Sequence, residues 1–327
     1  MKRTLLLAAV AFAFHLSGAE RAAAQAWPTR PVTMVVPFAP GGSVDVMGRI
    51  LSGRLAEVLG QQVIVDNIPG AGGMLGSARV AKATPDGYEF VLGIAGTHAQ
   101  NQTLYKNPLY NAATDFAPVE LIAEQPTVLV TRKDLPPNTL PEFIAYAKAN
   151  QAKMQYGSAG AGSANHLACV LLDAAIGVNV THVPFRGGGP AMQELLGGRI
   201  DYMCNIVTNA LPQIEAKSVK PIALLSTTRS PTLPDVASAQ EQGLPNFDAS
   251  TWYAIFLPKG TPAPIVQKLH DAIEATVSTP AVQARLKDIG ADLVAPERRT
   301  SDYLAKFVVS EIARWAVPIK ASGVSMD

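Results

Sequence analysis

The residues with most to offer chemically stand in three stretches of one design: an apolar run, a cluster of glycines, then a helix start. They are Phe38-Ala39-Pro40-Gly41-Gly42-Ser43-Val44-Asp45, Gly157-Ser158-Ala159-Gly160-Ala161-Gly162-Ser163-Ala164-Asn165-His166, and Val183-Pro184-Phe185-Arg186-Gly187-Gly188-Gly189-Pro190-Ala191. Glycine lets a backbone come close to whatever it faces. A helix start aims unpaired N–H groups and the positive end of the helix dipole at one point. The chemistry this suits is anion binding. Ser158 and Ser163 add hydroxyl donors, although Ser163 also reads as an ordinary N-cap. Arg186 either supplies a charge or faces solvent, and Asp45 reads as a first-turn carboxylate that complements the dipole. A fourth strand-to-helix turn, Gly96-Thr97-His98-Ala99, offers Thr97 and His98, the latter equally readable as a structural histidine.

Catalytic readings are weaker. There is no G-x-S-x-G elbow, G-x-x-x-x-G-K-[ST] loop, H-E-x-x-H pair or G-x-G-x-x-G fingerprint. Ser163, His166 and Asp45 can be drawn as a triad, and His98, His166 and His182 as a zinc set, but the second lacks a short-spaced ligand pair. No catalytic residue, metal or cofactor is expected.

The elements that must position these loops alternate. Val32 to Val36 reads as a strand, Ser43 to about Leu59 as a helix stopped by Gly60, Val63 to Val65 as a strand. A helix follows Pro69-Gly70-Ala71-Gly72-Gly73, and Tyr88 to Ile94 is the next strand. The spacing predicts βαβ units and mainly parallel sheets. Near Phe116 the rhythm breaks, and a crossing strand leads into a second α/β domain that repeats it. Thr251 to Leu257 reads as the strand that returns, followed by three helical stretches. The predicted organisation is residues 27–125 with 251–327 as one domain and 126–250 as an inserted one. The cleft between them is the expected ligand site.

The 327 residues are 48% hydrophobic and 16% charged with a net charge of +1, which argues against a nucleic-acid footprint. Residues 1–26 read as an export signal: Lys2 and Arg3, an apolar stretch from Leu5 to Leu16, and the cleavage motif Ala24-Gln25-Ala26. The exported chain would begin at Trp27 in an oxidising compartment, the periplasm. There the only cysteines, Cys169 and Cys204, either form a disulfide or stay as two buried thiols.

Taken in order, further stretches complete a pattern. Trp27-Pro28-Thr29-Arg30-Pro31, Asp66-Asn67-Ile68-Pro69-Gly70-Ala71-Gly72-Gly73, Asp115-Phe116-Ala117-Pro118-Val119, Leu233-Pro234-Asp235-Val236 and the segment around Trp252 join the glycine loops. Together they resemble the extracytoplasmic solute receptors of the tripartite tricarboxylate transporter type, the Bug family. The resemblance covers essentially all of the exported chain. It implies a two-lobed periplasmic-binding-protein fold, two Rossmann-like α/β domains joined by crossing strands, closing on a small carboxylate. It implies that loops matching Phe38 to Asp45 and Ser158 to His166 hold one carboxylate, and that Thr97, Arg186, Gly187, Pro190, Ala191 and Asn205 line its far end. Many relatives carry Asp where this chain has Asn205, which points here to a carboxylate without an amine, dicarboxylate or aromatic. The implied partners are membrane permease subunits, with a signalling partner as the alternative and a secreted serine hydrolase as the remote one. Receptors of this type usually act as monomers.

Overall fold

The computed structural model describes residues 27–326. The predicted export signal and its cleavage motif lie outside the described residues.

In chain order, β1 (Val32–Val36), α1 (Ser43–Leu59), β2 (Val63–Asn67), α2 (Met74–Ala81), β3 (Glu89–Ile94), the short α3 (Asn101–Leu104) and β4 (Phe116–Gln125) build the first half. β5 (Thr127–Arg132), α4 (Leu140–Asn150), β6 (Gln155–Ser158), α5 (Ala164–Ile176), β7 (Thr181–Pro184), α6 (Gly188–Leu196), β8 (Tyr202–Ile206), α7 (Val207–Glu215) and β9 (Val219–Leu224) follow. The chain ends with β10 (Thr251–Pro258), α8 (Ala263–Val277), α9 (Pro280–Asp288), β11 (Asp292–Leu293) and α10 (Ser301–Ser322).

The local physics is plain in α1. Its apolar residues Val44, Met47, Ile50, Leu51 and Leu55 are buried, and Gly60 ends it in the left-handed conformation at φ 68°. Gly48 lets it lie close on the sheet, since a Cβ there would stand 3.1 Å from Val36 Cγ2. The expected helix after Pro69 begins later, at Met74. Ala71–Gly73 forms a tight turn first, with Gly72 at φ 60° and Gly73 at φ 92°.

Two sheets result, one of six strands in the order β11-β4-β10-β3-β1-β2 and one of five in the order β7-β6-β8-β5-β9. The expectation of mainly parallel sheets needs correction. β1 pairs parallel with β2 and β3, and β6 with β7 and β8, as βαβ units require. The strands that arrive from the other sheet run the opposite way: β10 is antiparallel to β3 and β4, and β5 to β8 and β9. Crossing strands enter from the far lobe, so their direction is set by the crossing rather than by a crossover helix.

The molecule is therefore two α/β lobes, and we propose the lobe boundaries at these crossings, 125/126 and 250/251. Gln125 sits at the first and ties both sides together. Its amide donates to Thr208 Oγ1 at 2.5 Å and to Ile289 O at 2.6 Å, while its carbonyl accepts from Tyr253 Oη at 2.8 Å. α10 packs on the first lobe yet shares a core cluster with Leu171 of α5, so it also spans both lobes. The cysteines are joined, Cα to Cα 5.3 Å, which staples α5 to β8 in the second lobe.

Candidate functional site

Four helix starts meet between the lobes. The cavity there is lined by Phe38, Gly42, Ser43, Val44, Ile94, Ala159, Asn165, Gly188 and Ile206. Ser43, Ala164, Gly188 and Val207 are the first residues of α1, α5, α6 and α7. At three of them, α1, α6 and α7, no side chain caps the N-terminus. The first N–H groups of such helices have no partner within the helix. Their dipoles add a positive potential in a water-poor space, so the arrangement favours an anion.

The first loop is held by Asp45. Its carboxylate accepts from Gly41 N at 3.0 Å, from Arg49 Nε at 3.0 Å and from Asn67 Nδ2 at 3.0 Å. These hydrogen bonds keep its pKa below the usual carboxylate range despite burial. Asn67 also donates to Phe38 O at 2.9 Å, so one side chain fixes both ends of the loop. Asp45 thus shapes the loop and is fully engaged in doing so.

The second loop is held from within and from below. Ser163 caps α5 by accepting from His166 N at 3.2 Å, and Gly162 N donates to His166 Nδ1 at 3.2 Å. Gly160 N donates to Ser158 Oγ at 3.1 Å, which also lies 2.7 Å from His182 Nε2. The Ser163–His166–Asp45 triad is not assembled: the hydroxyl meets a backbone N–H, the imidazole meets Gly162, and Asp45 serves the other lobe. The zinc set is not assembled either. His98 lies in the first lobe's core, stacked on Phe256 with centroids 4.0 Å apart and 2.8 Å from Thr97 Oγ1.

Thr97 and His98 are not among the residues that line this cavity. Both are fully buried, Thr97 Oγ1 bonds Ile94 O at 3.1 Å, and burial depresses the His98 pKa to about 3. Arg186 and Pro190 point the other way, to solvent. What Arg186 brings to the interface is its carbonyl, which accepts from Ala39 N at 3.2 Å across the lobes. Gly187 presses against Ala39, its would-be Cβ 3.1 Å from Ala39 Cβ, and Ala191 is buried behind it among α6 and β8 residues.

Asn205 sits at the end of β8, buried beside the cavity wall. Asn165 Nδ2 donates both to Cys204 O at 3.0 Å and to Asn205 Oδ1 at 3.0 Å. That fixes which way each amide faces, and it leaves Asn205 Nδ2 a buried donor without a partner.

The lobes are drawn together. The cavity at the four helix starts is about 10 Å3, close to what one water needs. Phe38 shares a core cluster with Ala159 and Ala164 of the other lobe, and Tyr105 Oη donates to Ala161 O at 3.1 Å. Val44, Ile94, Asn165, Gly188 and Ile206 were not among the residues expected from sequence to contact a ligand. Apolar residues at a strand end look like core, and α7 starts without the glycines that marked the other loops. Asn165 was within reach, lying in the first turn after a glycine loop.

Comparison with known proteins agrees with this geometry. The model of the tripartite tricarboxylate transporter family receptor matches residues 47–324. MatC from Rhodopseudomonas palustris, solved with bound malate, is 41% identical with a TM-score of 0.87 over 90% of this chain and 100% of its own. The periplasmic binding protein BugD is 39% identical with a TM-score of 0.89 over 92% of this chain and 100% of its own. The R. palustris protein Rpa4515, solved with adipate, is 34% identical with a TM-score of 0.87, covering 91% of this chain and 99% of its own. Such proteins bind solutes and are not enzymes, and among the described residues no helix is long and apolar enough to cross a membrane. The chain belongs to the tripartite tricarboxylate transporter receptor family.

Proposed function

We propose that this chain is a periplasmic receptor that binds a small dicarboxylate or aromatic carboxylate by lobe closure and delivers it to a tripartite tricarboxylate-type permease. The observation that carries this is the convergence of four helix N-termini, three without a capping side chain, on one space between lobes. A carboxylate there receives backbone N–H groups from both lobes at once, so its affinity for the closed form exceeds that for the open one, and binding shifts the population. In this reading Phe38, Ala39, Gly42, Ser43, Ser158, Ala159, Gly160, Gly162 and Ser163 form the carboxylate grip. Asp45 and His166 hold its two loops in shape, and Gly187 and Ala191 back it from the third.

The unpartnered Asn205 Nδ2 marks the far end. An N–H donor there suits an oxygen of the ligand, such as a second carboxylate, a hydroxyl or a carbonyl, and repels an ammonium. The malate-bound and adipate-bound relatives carry ligands of that kind. We take the receptor to act as a monomer and to reach the periplasm through a cleaved signal.

The test is a thermal-shift panel of mono-, di- and tricarboxylates, aromatic acids and amino acids on the purified protein. A true ligand at a hundred times its Kd adds about 2.7 kcal/mol. A carboxylate hit with no amino-acid hit is the expected outcome. Tightest binding by amino acids overturns the assignment of the far end, and no response after unfolding and refolding overturns the carboxylate grip.

A further inference from the structure

Beneath the second glycine loop lies a pair of imidazoles. His166, in the first turn of α5, and His182, on β7, have ring centroids 4.1 Å apart, and Tyr156 of β6 stacks on His182 at 4.9 Å. Each imidazole holds one end of the loop. His182 Nε2 lies 2.7 Å from Ser158 Oγ, where the loop leaves β6, and His166 Nδ1 accepts from Gly162 N, where the loop enters α5. Phe185 N also donates to Ser158 O at 3.1 Å, which couples this loop to the third one.

The chemistry of the two contacts is unequal. A backbone N–H only donates, so His166 Nδ1 must carry a lone pair and its proton must sit on Nε2. An imidazolium would set N–H against N–H and break the contact outright. The Ser158 hydroxyl both donates and accepts, so it tolerates either state of His182. A charge on His182 would nevertheless face the neighbouring ring across 4.1 Å.

Resting on the carboxylate-receptor reading above, we propose that His166 and His182 are positioning residues. As a neutral pair they hold the loop 158–163 in its gripping shape, and protonation of the pair lets the loop go and releases the ligand.

The surroundings support neutrality. The titratable groups around the pair are Tyr156, then Tyr202 on β8 behind it, Asp173 further along α5, which accepts from Tyr202 Oη, and Tyr105 from the other lobe. Arg186, beyond the end of β7, is exposed. Burial raises Asp173 to about 7, so in mild acid it is uncharged and offers an imidazolium no counter-charge. Burial depresses His166 to about 4, and burial with the neighbouring His166 depresses His182 to about 3. The grip therefore holds from about pH 8 to about pH 5 and weakens as pH falls through about 4.

The test pairs calorimetry with NMR. Malate and adipate Kd values are measured from about pH 8 to about pH 4 for the wild type, His166→Asn and His166→Phe. Asn keeps an acceptor for Gly162 N but does not titrate, and Phe keeps the ring but removes the acceptor. His166→Asn should bind within about threefold of wild type at neutral pH, and His166→Phe should lose at least about tenfold there. The ratio of wild-type to His166→Asn Kd, in which protonation of the ligand itself cancels, should rise about twofold between about pH 5 and about pH 4. A ratio flat with pH overturns the proposal. Independently of any ligand, imidazole 1H–15N spectra should show His166 as the Nε2–H tautomer, unprotonated at about pH 5.5. Titration near the ordinary value overturns the proposal too. If neither diacid binds at neutral pH, the carboxylate reading for these ligands fails, and the spectra still decide the state of the pair.

Discussion

Asn165 donates its side-chain amide to Asn205 Oδ1 at 3.0 Å, and the same nitrogen reaches Cys204 O at 3.0 Å. A backbone carbonyl, which only accepts, thereby dictates the direction of two side-chain amides in succession. The result beside the cavity is a buried donor without a partner, Asn205 Nδ2, and not an acceptor.

Replacing that donor should invert the preference of the site. Asn205→Asp keeps the shape, keeps the acceptor for Asn165 and substitutes a carboxylate oxygen for the N–H. Affinity for a diacid should fall by at least about tenfold, since a buried hydrogen bond to a charged group is lost and repulsion takes its place. Affinity for the matching amino acid should rise. Calorimetry with malate and aspartate decides it, and unchanged malate binding in a folded variant would remove Asn205 from the site.

Closure can be tested with two glycines that share a backbone conformation but not a neighbourhood. A Cβ on Gly72, at φ +60°, would stand 2.5 Å from Gly162 C and 2.6 Å from Ala161 O, while one on Gly60, at φ +68°, meets nothing within 4 Å. Alanine at either position carries a left-handed strain of about 1–2 kcal/mol. Only Gly72→Ala also pushes backbone against backbone across the lobes. It should weaken ligand binding by at least about tenfold relative to Gly60→Ala and keep the radius of gyration large when ligand is added. Equal binding by the two variants would mean that this approach is no part of the closed state.

The disulfide gives a stability prediction. Cys169 and Cys204 are separated by 35 residues, and cross-linking a loop of that size stabilises the fold by about 4 kcal/mol on the chain-entropy model. Guanidinium denaturation with and without reductant should differ by that order, with little change at neutral pH in the oxidised protein. A midpoint indifferent to reductant would show that α5 and β8 hold together without the bond.

A buried acid sets part of the pH dependence. Burial lifts Asp173 to about 7, although Tyr202 Oη donates to Oδ1 at 2.7 Å and to Oδ2 at 2.9 Å. The folded state thus keeps a proton that the unfolded chain gives up near the ordinary value of about 3.9. Stability from this group is full below that value and is lost as pH rises through about 7. His166 and His98, depressed to about 4 and about 3, act oppositely, and their contribution is lost as pH falls from about 6.5 toward those values. Asp173→Asn keeps an acceptor for Tyr202 and cannot ionise, so its melting temperature should exceed that of the wild type at about pH 8 and by much less near about pH 5. Equal melting temperatures at both would place the Asp173 pKa in the ordinary range.

Much of this molecule was legible in its sequence because the signals are local. Strand and helix periods placed β1 and α1 with the bounds found, and glycine clusters after apolar runs marked three of the four helix starts that form the site. The fourth, at Val207, carries no glycine and follows Ile206 directly, so nothing local announces it. Position at strand-to-helix turns promoted Thr97, His98 and Arg186 as candidates for ligand contact. Their places depend on what packs against them, and Phe256, distant in sequence, covers His98. The sequence by itself determined the elements, the loops rich in N–H donors and the family, because these follow from spacing along the chain. Only the tertiary structure decided that β10 and β5 run antiparallel, that the cysteines meet, that two imidazoles stand under one loop, and that Asn205 offers a donor. Each of those depends on distances between residues far apart in the chain, and such distances exist only once the lobes have folded and closed.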